Sequence, residues 1–304
     1  MGLIKLLLIP EVSENFQKQI RNIVLHGVSI YKRSLATYNE AENLILNELD
    51  LHTWQPTQAN TEVKSFKNSF LKTGRLDAEF YQPKYDEYFD KITSACKKKN
   101  WALINLRTAS EPLKYGSSFP YEYMNEGVPF LRIADLLDFE FDKSSLKYIN
   151  VKEAEKEMES CKVKTNDVLI SRSGSLGLTV VIPEDLNGSV FGSYFIRVRL
   201  KSKEINPHYL TLFMNSKAGK IQVEQQNTGG IQTNLTIPVI ESFKIPVPDI
   251  DIQNLIVETV KQSEEYKQGA GHLLQIAKQA VEKAIEENEE AAMEFIKKMR
   301  NYMN

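Results

Sequence analysis

Gln225–Val260, QQNTGGIQTNLTIPVIESFKIPVPDIDIQNLIVETV, decides how the rest of the chain is read. It opens on an uncharged cluster of amides, hydroxyls and paired glycines. Such residues pack poorly in a core but hydrogen-bond well to a base edge or a phosphate at close range. Two apolar, proline-bearing pieces follow, TIPVI (236–240) and KIPVP (244–248), and a helical pattern begins directly after them. A polar surface joined to a rod is the layout of a module that reads something and reports its position.

The rod extends from about Ile252 to Met299, where Leu273, Ala277, Ala280, Ala284, Ala291 and Phe295 trace a heptad-like stripe. Its alanines let a neighbouring helix approach closely, Gly269 and Gly271 weaken its middle, and Asn288 with the adjacent glutamates interrupts it. A counterpart stands at the other end of the chain. Ser13 caps a helix over 13–50, in which Ile20, Val24, Val28, Tyr31, Leu35, Tyr38, Ile45 and Leu49 keep three/four spacing. The two begin alike: LLLIPEV (6–12) leads to QKQIRNIV, and KIPVPDI (244–250) leads to QNLIVETV. Helices related in this way suit an antiparallel pair. Leu3–Ile9 is too short to span a membrane and lacks a small-residue cleavage site, so it is read as a buried strand; Leu6 breaks the myristoylation pattern at Gly2.

Between the rods the period changes. HTWQPTQANTEVKSF (52–66) has no apolar repeat and reads as a linker, with the joint placed at 56–71. From Lys72 to Pro246 short apolar runs are broken by Gly, Pro and Asn. VPFLRI, DVLIS, LTVVI, SYFIRVRL and ESFKIPV are candidate strands, and 83–98, 152–159 and 207–224 candidate helices. The expected fold class is α+β (mixed α/β) at 72–246. It is flanked by long helices in 1–55 and 247–304 that form an antiparallel coiled-coil-like spacer.

The composition is that of a soluble globular chain, 42% hydrophobic and 26% charged, with a formal net charge of −2. Residues 61–245 hold 26 Lys and Arg against 23 Asp and Glu, whereas the flanks hold 12 against 17. The middle therefore suits a polyanion better than the flanks do. Two cysteines, Cys96 and Cys161, without metal-ligand spacing, fit a reducing cytoplasm.

Chemistry is hard to find. The four histidines, His26, His52, His208 and His272, are isolated from one another and from acidic or thiol partners at ligand spacing. Neither a Walker loop nor a dinucleotide fingerprint occurs, so no cofactor is expected. SRSGSLG (171–177) has the glycines and hydroxyls of a phosphate cradle, yet it joins two strand-like runs and opens no helix. Pro248-Asp249 followed by Glu265-Tyr266-Lys267 imitates a magnesium nuclease motif. Such a site needs its Glu and Lys on a strand, and here both fall in a helical pattern.

Five pieces, in order, carry a resemblance: GRLDAEFYQPKYDEY (74–88), GSSFPYEYMNEGVPFLRIADL (116–136), DVLISRSGSLGLTVVI (167–182), INPHYLTLFMNSKAGK (205–220) and TGGIQTNLTIPVIESFKIPVPDIDIQ (228–253). The segment that holds them resembles a target-recognition domain of type I restriction–modification DNA specificity subunits, and the terminal helices resemble that family's spacer helices. The resemblance implies a non-catalytic subunit that binds double-stranded DNA and directs methyltransferase and restriction subunits to a target. A full subunit carries two recognition domains. This chain resembles the second half of one, so pairing with a second copy or another half subunit would restore a two-part site.

Within that reading the candidate contacts are specific. Lys114, Tyr115, Ser117 and Ser118 lie in a Gly-containing loop suited to phosphates, base edges or stacking. Arg132 and Arg172 can each make a bidentate contact to guanine, and can equally pair with Asp135 or Asp167. Ser171, Ser173 and Ser175 flank Arg172. Gln225, Gln226, Gln232 and Asn234 suit adenine, Gly229-Gly230 allow backbone approach, and Thr228 and Thr233 suit phosphates or a thymine methyl. Each hydroxyl or amide can instead serve a turn. Tyr115, Phe119, Tyr121 and Tyr123 form an aromatic run suited to core packing or to an extruded base. Two other readings remain: a helical protein-interaction adaptor and a magnesium-dependent nuclease.

Overall fold

The computed structural model describes residues 11–59, 61–137, 139–156, 159–227 and 234–299, so the strand expected at Leu3–Ile9 lies outside the described residues. The chain divides into two units, one up to Ala41 and from Glu258 onward, the other Glu42–Val257.

The first unit is a helix pair with a third helix. Its parts are α1 (Glu14–Glu48), which runs on into the second unit, and α9 (Ile250–Glu286), which begins there, followed by α10 (Glu289–Lys298). The Asn288 side chain accepts from the Ala291 N–H at 2.9 Å and caps α10, with Glu289 and Glu290 in the first turn. That is why the helical pattern over 252–299 breaks at Asn288.

The pair is antiparallel. Ser13 at the start of α1 meets Glu289, Gly27 lies against Ala270 and Leu273, and the Ser263 hydroxyl donates to the Ser34 carbonyl at 2.8 Å. Phe16, Ile23, Leu273, Ile276, Ala277, Ala280, Ala292 and Ile296 form one buried cluster. Removing a Phe, Leu or Ile side chain from water contributes about 1.5–3 kcal/mol each.

The stripe expected on α1 holds in part, since Ile45 and Leu49 are buried and Ile20 and Val24 pack against the cluster, but not in the middle of the helix. Gly27, Ser34, Thr37 and Ala41 lie on the buried side, whereas Val28, Tyr31 and Leu35 are exposed. Small residues let the backbones close up, and counting apolar residues alone misses the part of the buried face that they form.

The second unit holds the sheets. Its first elements are α2 (Phe70–Thr73), α3 (Pro83–Lys98), β1 (Ala102–Asn105), α4 (Leu106–Ala109), β2 (Lys114–Tyr115), β3 (Val128–Leu131), β4 (Leu136–Leu137), β5 (Glu140–Phe141) and β6 (Lys147–Ile149). Next come α5 (Val151–Lys156), β7 (Val168–Ser171), β8 (Thr179–Val181), β9 (Val190–Phe191) and β10 (Phe195–Val198). The last are α6 (Pro207–Asn215), α7 (Lys217–Gln226), α8 (Ile237–Ser242) and β11 (Lys244–Val247). An antiparallel sheet runs β2-β10-β7-β8, a second runs β6-β3-β9 with β3 and β9 parallel, and β1 pairs with β11.

β7 and β10 are central and buried on both faces, which is what an unbroken apolar run such as VLIS dictates. Arg197 is the exception in this core, at 5% exposure, and its burial lowers its pKa. Its guanidinium donates to the carbonyl of Lys162 at 2.6 Å and lies 4.0 Å from Asp167.

The helix expected over 207–224 is two helices. At Ser216 the backbone turns extended, and Gly219 passes so close that a Cβ there would sit 2.4 Å from Met214 Cα. Trp54, within the stretch read as a linker, is buried 6.3 Å from the ring of Tyr88. No described helix is long and apolar enough to cross a membrane.

Candidate nucleic-acid interface

Three segments of the second unit meet around Arg172. β7 ends at Ser171 and the chain turns through 172–177 into β8. Gly174 and Gly177 both adopt positive φ, 71° and 75°. Gly177 also lies against α7, where a Cβ would come 2.5 Å from Val223 Cγ2. The Arg172 N–H donates to the carbonyl of Tyr194 at 2.8 Å, and its carbonyl accepts from Leu235 N–H at 2.9 Å. Its backbone thus ties the β9–β10 turn to the chain that follows the Gln/Gly cluster.

The guanidinium lies over the ring of Tyr115, 4.9 Å from the centroid. Nε donates to Leu235 O at 3.3 Å, and Nη1 lies at the limit of hydrogen bonding to Ser193 O, 3.5 Å away. Among the described residues no carboxylate pairs with it. Tyr115 is held in turn, its hydroxyl accepting from Ile237 N–H at 3.2 Å. Gly116 lets the β2 loop press on the β9–β10 turn, since a Cβ there would meet Gly192 O at 2.3 Å. Ser117 N–H donates to Phe191 O, and Ser117 O accepts from Ser193 N–H, both at 2.8 Å.

The two arginines left open by the sequence part company here. Asp135 is buried and takes Arg132: Nε reaches Oδ2 at 3.0 Å, Nη2 contacts Oδ1, and Tyr123 stacks on the guanidinium at 5.1 Å. These hydrogen bonds push the Arg132 pKa above its ordinary value. Asp167, also buried, accepts two bonds of 2.7 Å from Arg199, which raise that residue's pKa. Arg172 is left with carbonyls and an aromatic face. That is the state of an arginine able to take a base edge or a phosphate.

The other candidates separate in the same way. Ser171 is fully buried and its hydroxyl donates to Ser175 O, so it holds the loop and offers nothing outward. Ser117 is buried, with its hydroxyl on Phe119 N–H and Tyr121 OH, and Gln225 donates to Phe80 O at 3.2 Å. Lys114, Ser118, Ser175 and Asn234 are exposed, and Ser173 and Gln226 half-buried. Thr228, Gly229, Gly230, Gln232 and Thr233 lie outside the described residues.

Sequence reading missed Tyr194, 61% exposed beside Arg172, because it sits in a run that reads as buried strand. It also missed a cavity of about 290 Å³ lined by Trp54, Lys84, Lys217, Lys220, Glu42 and Glu224, in which Lys84 pairs with Glu224 at 2.5 Å.

Glu265 and Lys267 of the nuclease-like spacing lie in α9. Among the described residues no three His, Cys, Asp or Glu side chains gather as a metal site.

The family model described as type I restriction modification DNA specificity domain matches residues 111–268. The type I restriction enzyme EcoBI specificity subunit of Escherichia coli is 26% identical over 229 residues, 73% of this chain and 48% of the relative. The chain thus spans about half the length of that curated relative. Two solved structures are also similar. The type I restriction–modification S subunit of M. genitalium has a TM-score of 0.48 at 13% identity, covering 88% of this chain and 60% of that one. The HsdS subunit of Thermoanaerobacter tengcongensis has a TM-score of 0.43 at 14% identity, covering 90% and 58%.

Proposed function

Since the chain belongs to the type I restriction modification DNA specificity domain family, we propose that it reads double-stranded DNA and directs partner methyltransferase and restriction subunits to the target. It performs no catalysis itself, works in the cytoplasm and needs no cofactor. One observation carries the reading: Arg172 lies at the meeting point of three loops with no carboxylate among the described residues to neutralise it, while Arg132 and Arg199 of the same unit are both neutralised.

In this reading Lys114, Tyr115, Ser118, Arg172, Ser173, Ser175, Gln226 and Asn234, with the 228–233 segment, face the DNA. Ser117, Arg132, Ser171 and Gln225 support them. Residues 72–246 are the reader, 56–71 the joint, and 1–55 and 247–304 the spacer. α1 and α9 have 35 and 37 residues. At about 1.5 Å per residue each exceeds one turn of B-DNA, about 34 Å. A second copy, or another half subunit, supplies the other part of a two-part target.

The test is an electrophoretic shift with random-sequence duplex at several salt concentrations, followed by methylation mapping in a host carrying only this specificity gene. Phosphate contacts impose a steep salt dependence. A flat response favours a protein adaptor, and a contiguous asymmetric target sinks the paired arrangement.

A further inference from the structure

The loop 117–124 carries a feature that hydrogen bonding to DNA leaves unexplained. Phe119, Tyr123 and Met124 all face water, Phe119 at 57% exposure. Large apolar groups clustered on a surface mark a contact site, and this loop is built to hold one outward. The Phe119 N–H donates to Ser117 Oγ at 3.2 Å, and its carbonyl accepts from Tyr121 N–H at 3.1 Å. Its ring leans on Tyr121 at 4.9 Å, and Tyr121 meets buried Phe130 edge-on at 5.1 Å. At the far end Met124 N–H donates to Tyr148 O at 2.8 Å. The ring is therefore in place before a partner arrives and loses little conformational freedom on binding.

This loop is tied to Arg172 by hydrogen bonds. Ser117, which holds the Phe119 N–H, bonds to Ser193 N–H, and the Ser193 carbonyl lies 3.5 Å from Arg172 Nη1. Resting on the DNA reading above, we propose that Phe119 is a wedge that enters a base step of the duplex beside the Arg172 contact and stacks on an unstacked base. A bare ring has nothing to offer a phosphate, but every base presents a π-face, and apolar wedges kink duplexes at such steps. Opening one step lowers the cost of extruding a neighbouring base, which any base-modifying partner requires.

The test uses the whole chain and a closed circular plasmid relaxed by topoisomerase in its presence. The wild type shifts the topoisomer distribution. Phe119→Ala does not, although it keeps the far-ultraviolet circular dichroism and the salt slope on a random-sequence duplex while binding about tenfold more weakly. Phe119→Trp keeps the shift, and its emission is quenched as duplex is added, above a background from Trp54 and Trp101, both buried. A wild type that binds duplex yet leaves topoisomers unchanged overturns the wedge and leaves DNA reading intact. A Phe119→Ala chain that unwinds as well as wild type does the same. Failure of the wild type to bind any duplex overturns both.

Discussion

Arg172 rests on Tyr115 with 4.9 Å between guanidinium carbon and ring centroid, while the Tyr115 hydroxyl accepts from the backbone of Ile237. The cation is aimed by contacts that leave its charge uncompensated. Arg172→Ala should lower affinity for a selected target by about 1–3 kcal/mol, with far less effect on random duplex and on unfolding midpoint. Titration of both duplexes checks this, and equal losses on the two would make Arg172 a phosphate contact.

Arg132 should behave in the opposite way. Its removal strands the buried Asp135 carboxylate with backbone donors only. Because the arginine side chain is itself 24% exposed, the expected loss is about 2–3 kcal/mol of stability, less than for a fully buried pair. Urea unfolding of Arg132→Ala reads it directly.

Gly177→Ala and Gly174→Ala share a positive φ but not a neighbourhood. Gly174 faces open space, so its cost is backbone strain alone, about 1 kcal/mol. At Gly177 the added methyl also strikes Val223, and the cost should exceed 2 kcal/mol, roughly. Comparable midpoints for the two variants would refute the close approach of α7 to the loop.

In α9, Gly269 and Gly271 interrupt good helix formers, and nothing lies within 4 Å of a Cβ at either. Each change to Ala should therefore stabilise the chain by about 0.8–1 kcal/mol. Thermal melts of the single and double variants test additivity as well.

Ser13 N–H and Oγ both donate to the exposed Glu289 carboxylate, and they hold its pKa below the ordinary 4.5. A depressed carboxylate contributes fully above its unfolded value and loses that contribution as pH falls through the lower folded one. Hydrogen exchange at the start of α10 should thus accelerate as pH drops from about 4.5 downward, after correction for intrinsic rates. Ser13→Ala removes the hydroxyl and keeps the N–H donor, so it should weaken that dependence.

The sequence made some of this legible. Pro83–Lys98 is a helix over the residues its spacing predicts, because Pro leads it, lysines end it and Tyr85, Tyr88, Ile92 and Ala95 share a face. The break at Asn288 was visible as a polar interruption of the stripe, and the structure makes it a helix cap. The middle of the buried face of α1 was not, because close packing on Gly27 and Ser34 depends on what the opposite helix presents. The site was half legible. Arg172 stood out within a serine–glycine loop. Which acids go to which arginines was not, since Asp167 before β7 pairs with Arg199 after the adjacent β10, and periodicity carries no record of such partners.

β1 and β11 lie side by side with Ala102 opposite Val247 and Asn105 opposite Lys244. The chain therefore enters and leaves everything between them through one doorway, about 5 Å wide. Cutting and rejoining there replaces the whole enclosed segment without altering the gap the flanks must bridge. A segment exchanged at these strands would meet the flanks at one fixed spacing, and would need to keep the bonds that reach outside it, such as Gln222 to Tyr88 and the Asn206 N–H to Gln253.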